Sequence, residues 1–274
     1  MFSLSQHHQS KFPFSPTLIA AFVTHLLKSG LKCSTIRSYL SAISAFHKLL
    51  GHSDPTNSYL ISRLLKTDLT SIQKSSTSLL PLNLNVLKKV IKILPSTVIC
   101  SYDVILFKSL FLFSYYCCTR ACEVVYDPKS LPSHTLKLSD VVICSGNSPS
   151  LIVTFRTFKH STEPVSITLN SCLDSIYCPV RAFFKYISLR GDQPGFIFLN
   201  SLKRPLNRSN YATTLKNCIS KLGLPGTRYN THSLRIGRAT DLAIAGNPAH
   251  IIKNIGRWKS DAYKKYIRPK VSFN

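Results

Sequence analysis

An excess of positive charge is the feature that most restricts what this chain can form. Lysine and arginine occur 35 times against 11 aspartates and glutamates, a formal net charge of +24 over 274 residues. Such an excess destabilises a compact chain through self-repulsion, and an anionic partner relieves it. Because 44% of the residues are nevertheless apolar, a globular fold is predicted. Together these properties favour a folded nucleic-acid-binding protein over a merely soluble basic one.

The apolar pattern predicts a helical first domain. Helices are expected from a Ser-Pro start to Gly30, over residues 33–51 and over about residues 57–72. The Ser/Thr-rich run QKSSTSLLPLN then predicts a linker, which divides the chain into domains 1–75 and 76–274. Both parts are basic, with formal net charges of +6 and +18, so both are expected to face the same polyanion. The second predicted helix carries one apolar stripe, made of Ile36, Leu40, Ile43, Phe46, Leu49 and Leu50.

The second part alternates helical and β-type patterns. Helices are predicted at residues 83–94 and 102–126. The β-rich runs LKLSDVVIC, SLIVTFRTF and PVSITL follow, and the last two are joined by KHSTE as a hairpin. Four further helices are expected, including one in THSLRIGRATDLAIAG with Thr231 as its cap. The predicted fold class is mainly α with a small antiparallel β-sheet.

Several function classes are disfavoured. The longest apolar stretch, Val104–Cys118, is interrupted by Lys108 and shorter than the roughly 20 residues of a bilayer span, so no membrane segment is predicted. No phosphate loop or G-x-G-x-x-G is present. Glutamate occurs only at Glu123 and Glu163, too few for a two-metal carboxylate cluster. We therefore expect no cofactor, no metal and no small-molecule substrate. An odd number of cysteines and no secretory signal favour a reducing compartment, cytoplasm or nucleus.

Cleavage of a phosphodiester without metal requires cations, a side-chain nucleophile and a general acid. The motif HSLR places His232 and Arg235 on one helix face. Arg120 follows a long apolar helical run, where a charge is costly unless paired or functional. From these residues alone, a structural histidine and a simple ion pair between Arg120 and Glu123 stay open alternatives. The segment GRWKSDAYKKYIR adds two candidate nucleophiles, Tyr263 and Tyr266.

Five short motifs carry a resemblance to a known family. TRACEV, FRTFKHSTEP, HSLRIG, GRW and YIR, in this order, resemble the tyrosine recombinases, or phage integrase family. They are most similar to those of eukaryotic DIRS-type mobile elements. The resemblance covers essentially the whole chain: residues 1–75 look like the helical, SAM-like core-binding domain, and residues 76–274 like the α+β catalytic domain.

The resemblance implies a site-specific DNA recombinase or integrase that works through a 3′-phosphotyrosyl intermediate. It implies double-stranded DNA as partner, a dimer or tetramer on DNA, and a nuclear location. Tyr263 is expected to be a packing or DNA-contacting neighbour. Six catalytic roles are carried over: Arg120 and Arg235 clamp the phosphate, His232 is the acid/base, Lys159 is the general acid, Trp258 packs on or bonds the phosphate, and Tyr266 is the nucleophile.

Two alternatives to this function stay open. In the first, the chain is a DNA-binding protein that descends from a recombinase and is no longer catalytic. In the second, it is a type IB topoisomerase-like enzyme that relaxes supercoiled DNA.

Overall fold

The computed structural model of the chain describes residues 12–71, 79–128, 132–158, 161 and 163–268. The chain divides into two compact units between residues 76 and 77. That point, like the predicted boundary after residue 75, falls outside the described residues, so the exact boundary stays a prediction.

Three helices build the first unit: α1 (Pro16–Lys28), α2 (Cys33–Leu49) and α3 (Tyr59–Ser71). The Ser15 hydroxyl caps α1 by accepting a hydrogen bond from the Leu18 backbone N–H at 3.2 Å. An apolar cluster from all three helices forms the core of this unit; it consists of Ile19, Ala20, Val23, Ile36, Leu40, Ile61 and Leu65.

The apolar stripe predicted for α2 is buried only in its first half. Ile36 and Leu40 are buried, whereas Phe46 and Leu49 are 52% and 83% exposed. His47 is the buried residue of the last turns instead, and each of its ring nitrogens lies within hydrogen-bonding distance of a backbone atom. A polar ring with both nitrogens bonded is tolerated inside, which periodicity alone did not predict.

Seven helices and one three-stranded sheet appear in the described part of the second unit. The strands β1 (Val141–Cys144), β2 (Ser150–Phe155) and β3 (Val165–Asn170) form an antiparallel sheet in the order β1-β2-β3. The predicted hairpin between β2 and β3 and the predicted fold class are confirmed. The helices are α4 (Leu84–Thr97), α5 (Ser101–Tyr116), α6 (Ala121–Val124), α7 (Pro179–Arg190), α8 (Arg208–Lys221), α9 (His232–Ile244) and α10 (Ala249–Gly256), and a 3-10 helix (Asp261–Tyr266) follows.

The helix predicted over residues 102–126 is wrong in its second half. Helix α5 ends at Tyr116, and Cys118 adopts a left-handed backbone conformation with φ of 50°. The short helix α6 then begins after Arg120, whose backbone N–H donates to the Glu123 carboxylate. The break therefore places Arg120 at the start of a new helix instead of on the buried face of a long one.

None of the described helices is both long and apolar enough to cross a membrane.

Candidate active site

Thr231 is the N-cap residue of α9, as predicted, but the hydrogen bonds that hold this end of the helix are made by Asn230. Thr231 has helical backbone angles and its side chain makes no capping bond. The Asn230 side-chain carbonyl accepts a hydrogen bond from the His232 N–H at 2.8 Å, and the Asn230 N–H donates to the Ser233 hydroxyl at 3.2 Å. These bonds fix the first turn of α9, where His232 lies.

Arg235 follows His232 by one turn and joins three segments of the chain. Its side chain is fully buried. Nη1 donates to the Cys118 carbonyl, and Nη2 donates to the Gly256 carbonyl. Because Cys118 precedes Arg120 and Gly256 precedes Trp258 in the chain, Arg235 holds α9 against both of these segments.

Tyr266 lies against three of the predicted site residues. Its ring centroid is 4.8 Å from that of Trp258 and 5.1 Å from that of His232. Cζ of Arg235 lies 5.5 Å from the Tyr266 ring centroid and 4.3 Å from the Trp258 ring centroid. The phenol, imidazole, indole and guanidinium groups therefore form one cluster, which we name the Tyr266 cluster.

Tyr263 has a different environment from Tyr266, although both lie in the same 3-10 helix. Tyr263 is only 7% exposed and packs in a small apolar cluster with Leu242, Ile252 and Trp258. Tyr266 is half-buried. The interior position of Tyr263 fits a packing role, and Tyr266 is the more exposed of the two phenols.

Arg120 is paired with Glu123, the partner suggested by its spacing. Arg120 Nη1 lies 2.8 Å from Glu123 Oε1, and the Arg120 backbone N–H donates to Oε2 at 2.8 Å. The Glu123 carboxylate is buried, and its Oε2 also accepts a hydrogen bond from Arg257 Nη2 at 2.6 Å. Glu123 therefore bridges two arginines, of which Arg120 is the more exposed.

The position of Lys159 lies outside the described residues. The hairpin that carries it is described up to Phe158 and again at Ser161. The backbone N–H of each of these two residues donates a hydrogen bond to the carbonyl of the other. Cζ of Arg257 lies 5.9 Å from the Phe158 ring centroid, which places this end of the hairpin beside the Arg257–Glu123 pair.

The electrostatics of the site favour an anion. Burial and the charges of Arg235 and Arg120 lower the pKa of His232 to about 4, so its imidazole is neutral at pH 7. Burial also lowers the pKa of Arg235, and the neighbouring Arg120 and Arg257 lower it further. For Glu123, burial alone raises the pKa, but Arg257 and Arg120 outweigh burial and hold the pKa below its ordinary value.

Two buried donors of the Tyr266 cluster lack partners among the described residues: Nε of Arg235 and Nε1 of Trp258. Buried N–H groups without a partner are rare in folded proteins. Both N–H groups are suited to donate hydrogen bonds to an anion bound beside Tyr266. Within the same described residues, no group of three or more histidine, cysteine or acidic side chains is arranged to hold a metal ion.

Residues 146–270 match the model of the phage integrase family. The matched stretch contains Lys159, His232, Arg235, Trp258 and Tyr266, and it leaves out Arg120. This stretch is therefore a domain of the phage integrase family, the tyrosine recombinases. A comparison with curated proteins finds no match.

Solved structures of tyrosine recombinases share the fold of this chain. The Tn1549 transposon integrase in complex with circular intermediate DNA has 15% sequence identity and a TM-score of 0.60, over 94% of this chain and 82% of that one. The XerH site-specific recombinase bound to difH has 14% identity and a TM-score of 0.62, over 93% and 67%. A lambda integrase dimer bound to a COC′ core site has 16% identity and a TM-score of 0.59, over 96% and 68%.

Sequence reasoning missed one residue of this candidate site, Arg257. Its side chain is fully buried and contacts Glu123, 134 residues away. The only signal in the sequence was a charged residue between Gly256 and Trp258, a position that looks exposed in so basic a segment. The partner is supplied by α6, so only the tertiary structure identifies Arg257 as an interior residue.

Proposed function

We propose that this recombinase cuts and rejoins DNA with Tyr266 as its nucleophile. The phenol oxygen attacks a phosphorus atom of the backbone, forming a 3′-phosphotyrosyl bond and breaking the bond to the 5′ oxygen. The phenol proton leaves and the 5′ oxygen gains one, so a 5′-hydroxyl is released. A 5′-hydroxyl of the same or another strand then reverses the step. The observation that carries the proposal is the Tyr266 cluster, with its two unpartnered donors.

The arginines are proposed to neutralise the scissile phosphate. Nε of Arg235 has no partner among the described residues, and Cζ of this guanidinium lies 5.5 Å from the Tyr266 ring centroid; the partly exposed guanidinium of Arg120 is held by Glu123. Trp258 offers its indole N–H as a further donor. Removal of one donor to a transition-state oxyanion typically lowers the rate by about 10²–10³. Loss of Arg235 is expected to cost more, because its bonds to two carbonyls also hold the site together.

His232 is proposed to act on the proton of Tyr266. Its low pKa leaves the ring neutral at pH 7, so it can accept a proton when the phenol attacks. The arriving phosphate adds negative charge beside the imidazole, which raises the pKa of His232 and stabilises the protonated form. Lys159 is proposed as the general acid that protonates the leaving 5′ oxygen.

Double-stranded DNA is the proposed partner of both units. Phosphate contacts from so basic a chain predict binding that weakens steeply with salt. The integrase of transposon Tn1549 and the DNA-bound lambda integrase dimer support a role in mobile-element integration or excision and a dimer or tetramer on DNA. We further propose a DIRS-type eukaryotic element as the origin of the chain, and hence a nuclear location.

The test is covalent trapping on nicked DNA that carries candidate element ends. Cleavage beside the nick releases a short fragment, so religation is blocked and the adduct accumulates. The full chain is incubated with EDTA and without ATP, and the adduct is located by peptide mapping. We expect an adduct on Tyr266 that disappears in Tyr266→Phe and persists in Tyr263→Phe.

Other outcomes separate the alternatives. Tight, salt-sensitive binding without an adduct on any DNA tested indicates a binding protein that has lost catalysis. An adduct combined with relaxation of supercoiled DNA, and without strand exchange, indicates topoisomerase-like activity. An adduct on Tyr263 contradicts the proposed nucleophile.

A further inference from the structure

Arg257 has an unusual environment for an arginine of a DNA-binding protein. Its side chain is fully buried, and its backbone is left-handed with φ of 55°. Residues with a Cβ rarely adopt this conformation, and it persists only where the surroundings impose it. Arg235 is buried too, but it contacts the Trp258 and Tyr266 rings, whereas Arg257 contacts Phe155 and Phe158; this environment favours a role of the Arg257 charge within the fold.

The guanidinium of Arg257 has a partner on each side. Nη1 donates to the Cys117 carbonyl at 3.0 Å, and Nη2 donates to Glu123 Oε2 at 2.6 Å. Cζ lies 3.7 Å from the ring centroid of Phe155, the last residue of β2. Arg257 thus ties the segment before Trp258 to the end of α5, to α6 and to the sheet.

Glu123 transmits this connection to Arg120. The same carboxylate that binds Arg257 accepts hydrogen bonds from the Arg120 side chain and backbone N–H. Without Arg257, the Glu123 carboxylate loses the partner that holds it on its other side. The carboxylate is then free to turn, and the Arg120 guanidinium bonded to it turns with it, away from the phosphate.

We infer that Arg257 is a positioning residue of the recombination reaction, which fixes Glu123 so that Arg120 faces the scissile phosphate. This inference rests on the proposed function. It assigns Arg257 no contact with DNA, so its loss should slow cleavage without weakening DNA binding. A misplacement of about 1 Å in a catalytic group can lower a rate by roughly a hundredfold.

The test compares Arg257→Lys with Arg190→Lys in the full chain. Arg190 is a matched control because it is equally buried and bonds to backbone carbonyls of Gly191, Gln193, Phe196 and Ile197 instead of to a site residue. The double variant Glu123→Gln/Arg257→Met removes both buried charges, so it tests the inference even if Arg257→Lys folds poorly.

The measurements are the single-turnover rate of adduct formation per folded molecule and the Kd for the same DNA. We expect Arg257→Lys and the double variant to cleave about a hundredfold more slowly with a Kd within about twofold of the wild type. Arg190→Lys should lower the Tm and leave the rate per folded molecule within about threefold.

A second substrate distinguishes positioning of Arg120 from general loosening of the fold. A methylphosphonate at the scissile position carries no negative charge, so it needs less help from the arginines. The defect of Arg257→Lys should shrink at least tenfold on this substrate, as should that of Arg120→Ala. An unchanged defect, or a normal rate on the phosphate substrate, overturns the inference. If the wild type itself forms no adduct, the proposed function has failed instead.

Discussion

Gly256 is the glycine whose substitution most directly tests the Tyr266 cluster. A Cβ built on Gly256 lies 1.7 Å from Cζ3 of Trp258, and ordinary contact begins at 3.4 Å. The three atoms nearest to this Cβ all belong to the rigid indole ring of Trp258. In Gly256→Ala the whole indole must therefore move away by about 1.7 Å. The backbone at Gly256 is helical, so the substitution adds no conformational strain of its own.

The displacement predicts separate effects on stability and rate. Forced repacking costs about 1–3 kcal/mol, and in a unit of this size each kcal/mol lowers the Tm by roughly 2–4 °C. The Trp258 ring centroid lies 4.3 Å from Cζ of Arg235 and 4.8 Å from the Tyr266 ring centroid. Because a shift of about 1 Å can cost a hundredfold in rate, we expect Gly256→Ala to form the covalent adduct at least about a hundredfold more slowly.

Trp258 is the only tryptophan of the chain, so its fluorescence reports the displacement directly. The assay combines the emission spectrum, a thermal melt and single-turnover adduct formation. Gly226→Ala is the matched control, since nothing lies within 4 Å of its added Cβ. A normal adduct rate in Gly256→Ala, together with a shifted Trp258 spectrum, would refute the claim that the indole position matters for cleavage.

Three further predictions concern stability and pH. In Gly237→Ala the new Cβ meets a backbone carbonyl at 1.9 Å, which cannot move away as a side chain can; we expect a loss of about 3 kcal/mol in urea melts, against none for Gly226→Ala. Glu123→Gln should destabilise by about 3–5 kcal/mol because Arg257 stays buried without a charged partner, and adding Arg257→Met should recover part of this loss in the same melts. The folded-state pKa of His232, about 4, lies below its ordinary 6.5, so only the unfolded chain gains this proton between these values. Relative to His232→Gln, the wild type should lose about 3 kcal/mol of unfolding free energy from pH 7 to pH 4, and parallel pH profiles would contradict the lowered pKa.

Local patterns predicted much of the architecture. The spacing of His232 and Arg235 placed both on one face of α9, and the alternation in β2 and β3 predicted their hairpin, because each feature repeats with the period of its own element. The break after α5 was not predictable in this way. Its apolar run continues without a proline or glycine, and the left-handed turn at Cys118 is fixed by bonds to α9.

By itself the sequence determined which chemical groups are available and in what order: a basic chain, few carboxylates, and an ordered set of arginines, histidine, tryptophan and tyrosine. Only the tertiary structure decided which of these groups are buried. It placed Tyr263 inside and Tyr266 beside His232, and it turned Arg257 toward Glu123. The physical reason is that burial and ion pairing depend on elements far apart in the chain, whereas motif spacing reports only on neighbours along one helix or strand.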